Sequence, residues 1–508
     1  MIHWTMTRSS LLLALACPLF AVAQAGTLDP TFGNAGLVQS TIDVNSLAAS
    51  VAVQADGRIV CAVNSAGHAI VARYLSDGSV DSGFGVSGLV QLNVTTPQLS
   101  KVLIQPDGSI LVCGDTGPDT FVARLLPSGD MDEDFDADGI AMFGSEDQND
   151  FAWDMALRPD GRILVLGSQL VGAAQSIRLT GLADDGSLDA TFGDNGVSLL
   201  SPPQNTGYYP TCLAIQASGK VVVGCGWDTP LHYRIVLRWN TDGTLDDTFG
   251  DSGIANLTDI AAGGLDNASD ILIDASDRIL VAGTRVAPIT QQRLVHVTRL
   301  LNDGSADASY GTDGNAVSAE VVTTQLFGME GCLQANGELA MGSTYTANNV
   351  FNAEVHHFTA DGQPDTGFGT NGVLVAPFPA SSTTYMPGLV LQPDGKAVAC
   401  GRVDDQVALA RIILEGASSI DERTNNGLHV VPTADGRQQL WCDDADLARS
   451  TIRVYDMAGR ILPVSMERSS SSVLMDLRTL PVGCCVVEVM DGMKVRSMRL
   501  LNIRSFVP

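Results

Sequence analysis

Positive charge and aromatic side chains are scarce in this sequence of 508 residues. Lys and Arg number 29 against 57 Asp and Glu, which gives a net charge of −28, and aromatic residues make up 6% of the chain. So acidic a chain repels DNA, RNA and anionic lipid, and we expect no nucleic-acid partner. The 45% of hydrophobic residues excludes an intrinsically disordered chain.

Familiar catalytic and metal-binding motifs are also missing. The sequence contains no H-E-x-x-H, G-x-S-x-G, P-loop or C-x-x-C pattern, and no Rossmann glycine pattern tied to a helix. These patterns hold zinc, a serine nucleophile or a phosphate, so their absence favours a protein without enzymatic activity or cofactor. We therefore predict no catalytic residue. Cys61, Cys113 and Cys400 lie inside apolar segments, where we expect them to be small buried hydrophobic residues.

Long apolar segments are limited to one, at the N-terminus. The run from Leu11 to Ala23 follows Arg8 and precedes an Ala-Gln-Ala cleavage site, which predicts a signal peptide over residues 1–25. A lipoprotein signal at Cys17 is the alternative, but Pro18 and the continuing apolar run argue against it. We expect a secreted or cell-surface protein with no transmembrane segment after signal removal.

Glycine and aspartate, in contrast, are abundant and repeat. A motif such as GSLDATFGDNG occurs seven times between Gly26 and Gly372, and its central aspartates are 51 to 61 residues apart. A second motif such as QPDGKAV alternates with it, and a polar glycine turn between apolar segments is a hairpin signal. Each unit therefore holds four short strands and no helix, which is typical of one β-propeller blade.

The two ends of the repeat region are complementary. The region starts with a motif and its following strand, over Gly26–Val38, and ends with a hairpin and third strand, over Val390–Leu414. We predict an all-β fold in which residues 26–415 form a seven-bladed β-propeller whose N-terminal strand completes the last blade. An open β-solenoid is the alternative, but it needs capping units.

These repeated sequence motifs resemble the delta-60 repeat family of secreted bacterial proteins. QPDGKAV followed by ALARI, and GSLDATFGDNGV, carry the resemblance, which covers about residues 26–414. It implies a β-propeller and no particular activity.

Two charged positions recur with the repeat. An aspartate stands in all seven copies, and an arginine five residues before the motif glycine stands in five: Arg73, Arg124, Arg238, Arg299 and Arg411. Gly181 and His357 occupy the other two places. A charge that every blade repeats is more typical of a structural ion pair than of catalysis, so we predict a structural role for both positions.

Two departures from the repeat suggest binding sites. Asp134, Asp136 and Asp138 precede a glycine like the start of a calcium loop, although position twelve is Ser145 and an acidic turn is the alternative. The second departure is a group of aromatic side chains that we expect to bind a protein or glycan. Simple packing within an enlarged blade is the alternative for these residues, which are Trp153, Tyr208, Tyr209, Trp227, His232 and Tyr233.

The repeat stops near residue 415. Residues 416–428 form a polar linker, and the short strand-like segments over residues 429–508 predict a small Ig-like β-sandwich. This tail resembles the type A sorting domain of the type IX secretion system of Bacteroidota, except that Cys484 replaces an expected aromatic residue. The resemblance implies that the secretion machinery is a partner, through the motif residues Tyr455, Asp456, Gly459, Arg460, Gly483 and Lys494.

We therefore expect a secreted or surface-displayed, non-catalytic propeller that acts in binding or adhesion. An extracellular hydrolase or lyase with a site in the central channel is one alternative, and a structural surface-layer component is another. A channel enzyme needs carboxylates or histidines on the innermost strands of one or two blades, and we identify none from the sequence.

Overall fold

The computed structural model describes most of the repeat region and parts of the tail. Described are residues 24–144, 150–171, 174–203, 206–228, 233–257, 268–286, 293–318, 325–347, 350–376, 384–415, 428–432, 437–442, 447, 449–456, 461–469, 472–476, 483–491 and 494–502. The chain divides into two compact units, Met1–Ala417 and Ser418–Pro508. Throughout these described ranges the regular structure is β-strand, with no α-helix. Accordingly, the described residues include no helix suited to crossing a membrane.

Seven small antiparallel sheets make up the described part of the first unit. Each begins with an inner strand: β3 (Leu47–Val53), β7 (Gln98–Ile104), β11 (Asp150–Leu157), β15 (Gly207–Ile215), β19 (Ala268–Ile273), β23 (Gln325–Leu333) and β27 (Thr384–Leu391). The second strands are β4 (Ile59–Ser65), β8 (Ile110–Asp115), β12 (Ile163–Val171), β16 (Val221–Asp228), β20 (Ile279–Val286), β24 (Leu339–Ala347) and β28 (Ala397–Val403). The third strands are β5 (His68–Tyr74), β9 (Asp119–Leu125), β13 (Ala174–Leu182), β17 (Tyr233–Trp239), β21 (Arg293–Leu300), β25 (Val350–Phe358) and β29 (Gln406–Ile413). Short outer strands follow: β2 (Leu37–Ser40), β6 (Leu89–Gln91), β10 (Ile140–Gly144), β14 (Val197–Leu200), β18 (Ile254–Asn256), β22 (Asn315–Val317) and β26 (Val373–Val375).

The hairpins and the cores follow from the two repeated motifs. In the second sheet, Gly108 has a φ of +92°, a conformation that glycine adopts at little cost, and its N–H donates to the carbonyl of Gln105 at the end of the inner strand. The second and third strands of this sheet are buried on both faces because each sheet packs against its neighbours. Phe84 of the first sheet, for example, shares a core with Val112 and Phe121 of the second.

The seven sheets form a closed ring. Each inner strand contacts the next in chain order, and β27 contacts β3. The last sheet takes its outer strands from the start of the unit, because β1 (Thr27–Leu28) and β2 both pair with β29. Thr27 lies opposite Ile413, and Leu37 lies opposite Ala410. A closed ring of sheets packed face to face is a β-propeller.

The repeated arginine and aspartate form the predicted ion pair. In the fourth sheet, the Nε of Arg238 donates to Oδ2 of Asp246 at 2.7 Å, and its guanidinium carbon lies 4.5 Å from the centre of the Phe249 ring. Its Nη1 donates to the carbonyl of Asn302 in the next sheet at 2.5 Å. One buried side chain thus joins an ion pair, an aromatic ring and a neighbouring sheet, which is a structural role. The other sheets with this contact use Arg73, Arg124, Arg299 and Arg411.

The third sheet makes the same contact with a different arginine. Gly181 stands where the repeat has arginine, and Arg158, from the hairpin turn, supplies the guanidinium instead. Arg158 donates to the carbonyl of Thr241 in the next sheet at 2.9 Å and lies 5.6 Å from the Phe192 ring centre. Its Nη1 is 3.5 Å from Oδ2 of Asp189. The two departures of this blade from the repeat therefore compensate each other.

We predict that Arg158→Gln, which restores the usual turn residue, lowers the free energy of unfolding by about 3 kcal/mol. The reason is that the buried carboxylate of Asp189 loses one of its cationic partners. Arg162 still reaches Asp189, which limits the loss. Adding Gly181→Arg to the same chain restores the arrangement of the other sheets and recovers most of the stability. Thermal unfolding of the single and double variants measures both effects. A double variant that is no more stable than Arg158→Gln would show that an arginine at position 181 cannot replace Arg158.

The second unit contains two four-stranded antiparallel sheets in its described ranges. One sheet has the order β30-β31-β35-β34, and the other has the order β33-β32-β36-β37. Leu440 and Val473 from the first sheet share a core with Val454, Val487 and Val489 from the second. The strands are β30 (Leu428–Pro432), β31 (Gln438–Cys442), β32 (Thr451–Asp456), β33 (Ile461–Leu462), β34 (Ser465–Arg468), β35 (Ser472–Asp476), β36 (Gly483–Asp491) and β37 (Lys494–Asn502).

The sorting-motif residues are distributed over three strands of the second sheet. Tyr455 and Asp456 end β32, Gly483 begins β36 and Lys494 begins β37. Gly459, Arg460 and residues 416–427 of the linker lie outside the described residues.

Candidate functional site in the central channel

The inner strands surround a central channel and differ from one another at one position. Four residues before each hairpin-turn residue, immediately after a β-bulge, the seven strands carry Ser50, Lys101, Asp154, Cys212, Asp270, Glu330 and Gly388. The three residues that follow this position are apolar in nearly every inner strand. At this level the seven blades therefore present side chains of different chemistry, from serine and glycine to lysine and carboxylates. We call these seven residues the channel ring.

Three carboxylates and one ammonium group meet in the channel ring. The Nζ of Lys101 lies 2.5 Å from Oε1 of Glu330, which belongs to a non-adjacent sheet, and 3.6 Å from Oδ1 of Asp154. Within the described part of the chain, Asp270 has no cationic side chain within 4.0 Å. Only 22% of the Lys101 side chain and 9% of the Asp154 side chain are exposed. The cluster therefore carries an excess of acidic groups in a largely buried setting.

Each carboxylate of the channel ring also binds the backbone of the following inner strand. Asp154 accepts the N–H of Leu213 at 2.8 Å, Asp270 accepts the N–H of Gly331 at 2.7 Å, and Glu330 accepts the N–H of Leu389 at 3.1 Å. These bonds connect neighbouring sheets at the centre of the ring, and they fix the carboxylate groups in place.

Burial and charge shift the pKa values of this cluster strongly. Burial, reinforced by the charge of Glu330, raises the pKa of Asp270 to about 8. Burial also raises the pKa of Asp154, although the Lys101 charge opposes it. Burial alone would lower the pKa of Lys101, but the charges of Asp154 and Glu330 outweigh it and hold that pKa well above its ordinary value. At neutral pH, Lys101 is charged and Asp270 is mainly protonated.

A cavity of about 510 Å³ lies against the channel ring. Its wall is apolar and comes from the three residues that follow the ring position in most inner strands, among them Ile104, Leu157, Leu272 and Leu391. Lys101, Asp154, Asp270 and Glu330 are its charged lining residues. Ligand sites are typically cavities of about 300–1,000 Å³ with apolar walls and a few polar groups that converge. This cavity has those properties.

Aromatic side chains lie on the inner strands before the channel ring in sequence. Trp153, in the β-bulge of β11, and Tyr209, in β15 of the next sheet, are 44% and 45% exposed. The indole N–H of Trp153 donates to Oγ of Ser168 at 2.9 Å, and its ring lies 6.2 Å from that of Phe151. Tyr385 of β27 stands at the position equivalent to Tyr209, seven residues before the turn residue. We call Phe151, Trp153, Tyr209 and Tyr385 the aromatic end.

The predicted aromatic residues are divided between surface and interior. Trp153 and Tyr209 are exposed, but Tyr208 is only 3% exposed and belongs to the core of the fourth sheet. Along adjacent strands, Tyr208 lies opposite Trp227, and Trp227 lies opposite Tyr233. His232 lies outside the described residues. The interior position of Tyr208 gives it a packing role, because its ring fills the space between sheets.

The predicted calcium residues lie in a turn on the surface. Asp134, Asp136 and Asp138 are exposed, and Asp138 accepts the N–H of Ile140 at 2.9 Å. Asp136 has a φ of +50°, as part of the turn. No cluster of three or more metal-ligating side chains is found among the residues described. Calcium binding stays a prediction.

Sequence reasoning missed the channel ring. No carboxylate or histidine on the innermost strands was identified from the sequence, yet three of these strands carry Asp154, Asp270 and Glu330. Counting back four residues from each hairpin turn would have found them, since that spacing is constant in all seven copies. The predicted burial of Cys61, Cys113 and Cys400 is confirmed.

The sequence is similar to a family model described as a domain of unknown function (DUF5122) β-propeller. The matched residues are 54–84, 105–135 and 158–192, which in each case run from the hairpin turn to the motif phenylalanine. The match agrees with the closed ring of sheets, and the protein is a β-propeller. No curated protein matches the sequence.

Several solved structures are similar in fold. A PL25 ulvan lyase is 10% identical, with 79% of this chain and 98% of that chain covered and a TM-score of 0.44. The polysaccharide lyase Uly1 is 12% identical, with 76% and 92% covered and a TM-score of 0.41. Drosophila Semaphorin 2a is 8% identical, with 92% and 97% covered and a TM-score of 0.42. No functional conclusion follows from these likenesses.

Proposed function

We propose that this protein is an exported, seven-bladed β-propeller of the delta-60 repeat type that binds an extracellular glycan through its aromatic end, without catalysis. The observation that carries the proposal is the pair of exposed rings, Trp153 and Tyr209, on neighbouring inner strands. Aromatic faces stack on the apolar faces of sugars, and large aromatic side chains dominate binding surfaces. The hydrogen bond from Trp153 to Ser168 holds one ring in a fixed orientation, so little side-chain entropy is lost on binding.

The state of the channel carboxylates supports binding over catalysis. Asp154, Asp270 and Glu330 each accept a backbone N–H of the following sheet, and Lys101 neutralises part of their charge. Groups engaged in this way connect blades, and their reorientation toward a substrate would break contacts between sheets.

A glycan array with the full-length secreted chain tests the proposal. We expect a defined set of glycans to bind, and Trp153→Ala or Tyr209→Ala to weaken that binding at least tenfold, since the loss of an aromatic hot spot at a binding centre costs about 2 kcal/mol or more. Leu199→Ala, which removes a similarly exposed apolar side chain from an outer strand, is the matched control and should bind normally. Unchanged binding by both aromatic variants would exclude the aromatic end as the site.

A channel enzyme is the second candidate, and a specific observation favours it. Asp270 is mainly protonated at neutral pH in a ring of side chains that also holds a charged lysine, and a buried carboxylic acid with a pKa near 8 is typical of acid–base sites. Incubation with soluble polysaccharides, with reducing ends and ultraviolet absorbance of unsaturated products as readouts, tests it. Turnover that Lys101→Met or Asp270→Asn abolishes would establish the enzyme and overturn the non-catalytic proposal.

Export is proposed to use both ends of the chain. The two sheets of the second unit support an Ig-like sandwich, and the sorting-domain resemblance supports passage through the type IX secretion machinery to the cell surface or medium. We expect a chain that lacks residues 416–508 to accumulate in the periplasm, while the full chain is exported. Fractionation and immunoblotting in a host with the machinery measure this, and normal export of the truncated chain would refute the sorting role.

A further inference from the structure

The cavity beside the channel ring is a second feature with ligand-binding properties, separate from the aromatic end. It is lined by residues that follow the ring position, whereas the aromatic end lies before that position along the same strands. A glycan bound by Trp153 and Tyr209 therefore does not account for this cavity, whose lining includes neither residue.

The charges that line the cavity are unbalanced. Three carboxyl groups, those of Asp154, Asp270 and Glu330, line the cavity with one ammonium group, that of Lys101, so acidic groups outnumber basic ones. Among the described residues, that ammonium group lies within ion-pair distance of Asp154 and Glu330 only, and the nearest described cationic atom is more than 4.0 Å from Asp270. Buried carboxylates are stabilised by a nearby cation, so the arrangement has room for one further positive charge.

The rest of the cavity wall selects against a bare ion. Val53, Ile104, Leu157, Leu272, Val390 and Leu391 supply an apolar surface. In the described ranges, no group of three or more His, Cys, Asp or Glu side chains is arranged so that it could hold a metal ion. A molecule with a positive head and a hydrocarbon body satisfies both parts of the wall.

We propose that this cavity binds a small organic cation, with an ammonium head placed between Asp270 and Glu330 and a hydrocarbon body against the apolar wall. Each carboxyl oxygen of Asp270 and Glu330 already accepts one hydrogen bond and can accept a second, from the ammonium head. The body is removed from water by the apolar side chains.

The probe that we would use is n-hexylammonium, measured by isothermal titration calorimetry against the full secreted chain at pH 7. We expect it to bind at least about tenfold more tightly than n-hexanol, which has the same body and no charge, and we expect hexanoate not to bind. Equal affinity for the ammonium and the alcohol, or no heat with millimolar hexylammonium, would overturn the proposal.

Two variants locate the charge that matters. Asp270→Asn should weaken hexylammonium binding at least about tenfold, whereas Asp247→Asn, the same change at an exposed position in another sheet, should leave it unchanged. Thermal unfolding of each variant confirms that it is folded. Hexylammonium affinity that both variants retain would place the ligand elsewhere and contradict the assignment.

Proton release provides a readout that a merely structural Asp270 would not give. Because burial and the Glu330 charge raise the pKa of Asp270 to about 8, most molecules at pH 7 carry this proton, and a cation bound beside the group expels it. Lys101, Asp154 and Glu330 also face the group. The binding heat should therefore depend on the ionisation enthalpy of the buffer in the wild type and not in Asp270→Asn; a buffer-independent heat in both would count against the site.

Discussion

Lys101→Met is expected to lower the free energy of unfolding of the propeller by about 3 kcal/mol, because it leaves buried carboxylates without their cation. Lys101 lies within ion-pair distance of both Glu330 and Asp154, and no more than about a fifth of any of these side chains is exposed. Methionine keeps much of the lysine volume, so the change removes the charge and little of the packing. Thermal or urea unfolding of the purified protein measures the loss.

A second variant separates the charge effect from simple damage. Lys101→Met combined with Glu330→Gln removes both partners, and removing both members of a buried pair costs less than removing one. We therefore expect the double variant to be more stable than Lys101→Met alone. A double variant that is as unstable as the sum of both single changes would show that the two side chains act independently.

Lys396→Met is the matched control. Its Nζ lies 3.0 Å from Oδ2 of Asp29, and its side chain is more exposed than that of Lys101. After its loss Asp29 keeps Arg411, whose Nη2 is 2.9 Å from the same oxygen. We expect a loss below about 1 kcal/mol, as for ion pairs near the surface. A loss equal to that of Lys101→Met would mean that the central position of Lys101 has no special importance.

The β-propeller could be predicted from the sequence because each blade repeats both its turns and its strands. Gly108 and its equivalents mark the hairpins, and the apolar strands between them have the length of buried strands. The ion pair of Arg238 with Asp246 was also predictable, since it recurs at a fixed spacing.

The channel site was harder to predict because it depends on residues that are far apart in sequence. Lys101 and Glu330 are separated by 229 positions and meet only when the ring closes. Their types carry no motif, and each one alone is typical of a solvated surface residue. Binding and packing both stayed open for Tyr208 for a similar reason: alternation along the strand decides which of two adjacent tyrosines is buried, and the β-bulge between Pro210 and Cys212 changes that alternation.

The arginine exchange in the third blade shows how the repeat tolerates change. Gly181 alone would leave Asp189 without the usual arginine, and Arg158 alone would place an unneeded charge in a turn. Together they rebuild the contact with the ring of Phe192 and with the next sheet. Departures from the repeat that compensate each other in this way have a structural role. In the channel ring the compensation is only partial, because one lysine stands with three carboxyl groups. That difference is the reason for placing ligand chemistry in the channel.

Stability is expected to fall as pH rises from about 4 to about 8, and Asp270 is the cause. An unfolded aspartate has a pKa of about 4, whereas burial and the Glu330 charge raise the pKa of Asp270 to about 8 in the folded protein. Between these values the folded state binds more protons than the unfolded state, so each added unit of pH lowers the free energy of unfolding by up to about 1.4 kcal/mol. Above pH 8 both states have lost the proton, and this contribution becomes constant.

Asp270→Asn removes that dependence and is expected to raise the melting temperature of the propeller at pH 9 by several degrees, with little or no gain at pH 5. Calorimetry at the two pH values measures the change, and Asp247→Asn is the surface control.

Asp29 makes the free energy of unfolding rise with pH, at lower pH values. Although burial opposes the shift, bonds from Thr31 and Lys396 and the charge of Arg411 lower its pKa to about 2, so its contribution is complete above about pH 4 and is lost as pH falls through 2. Maximal stability in mild acid follows from the two slopes together, and an equal gain from Asp270→Asn at pH 5 and pH 9 would contradict the protonated state of the channel ring.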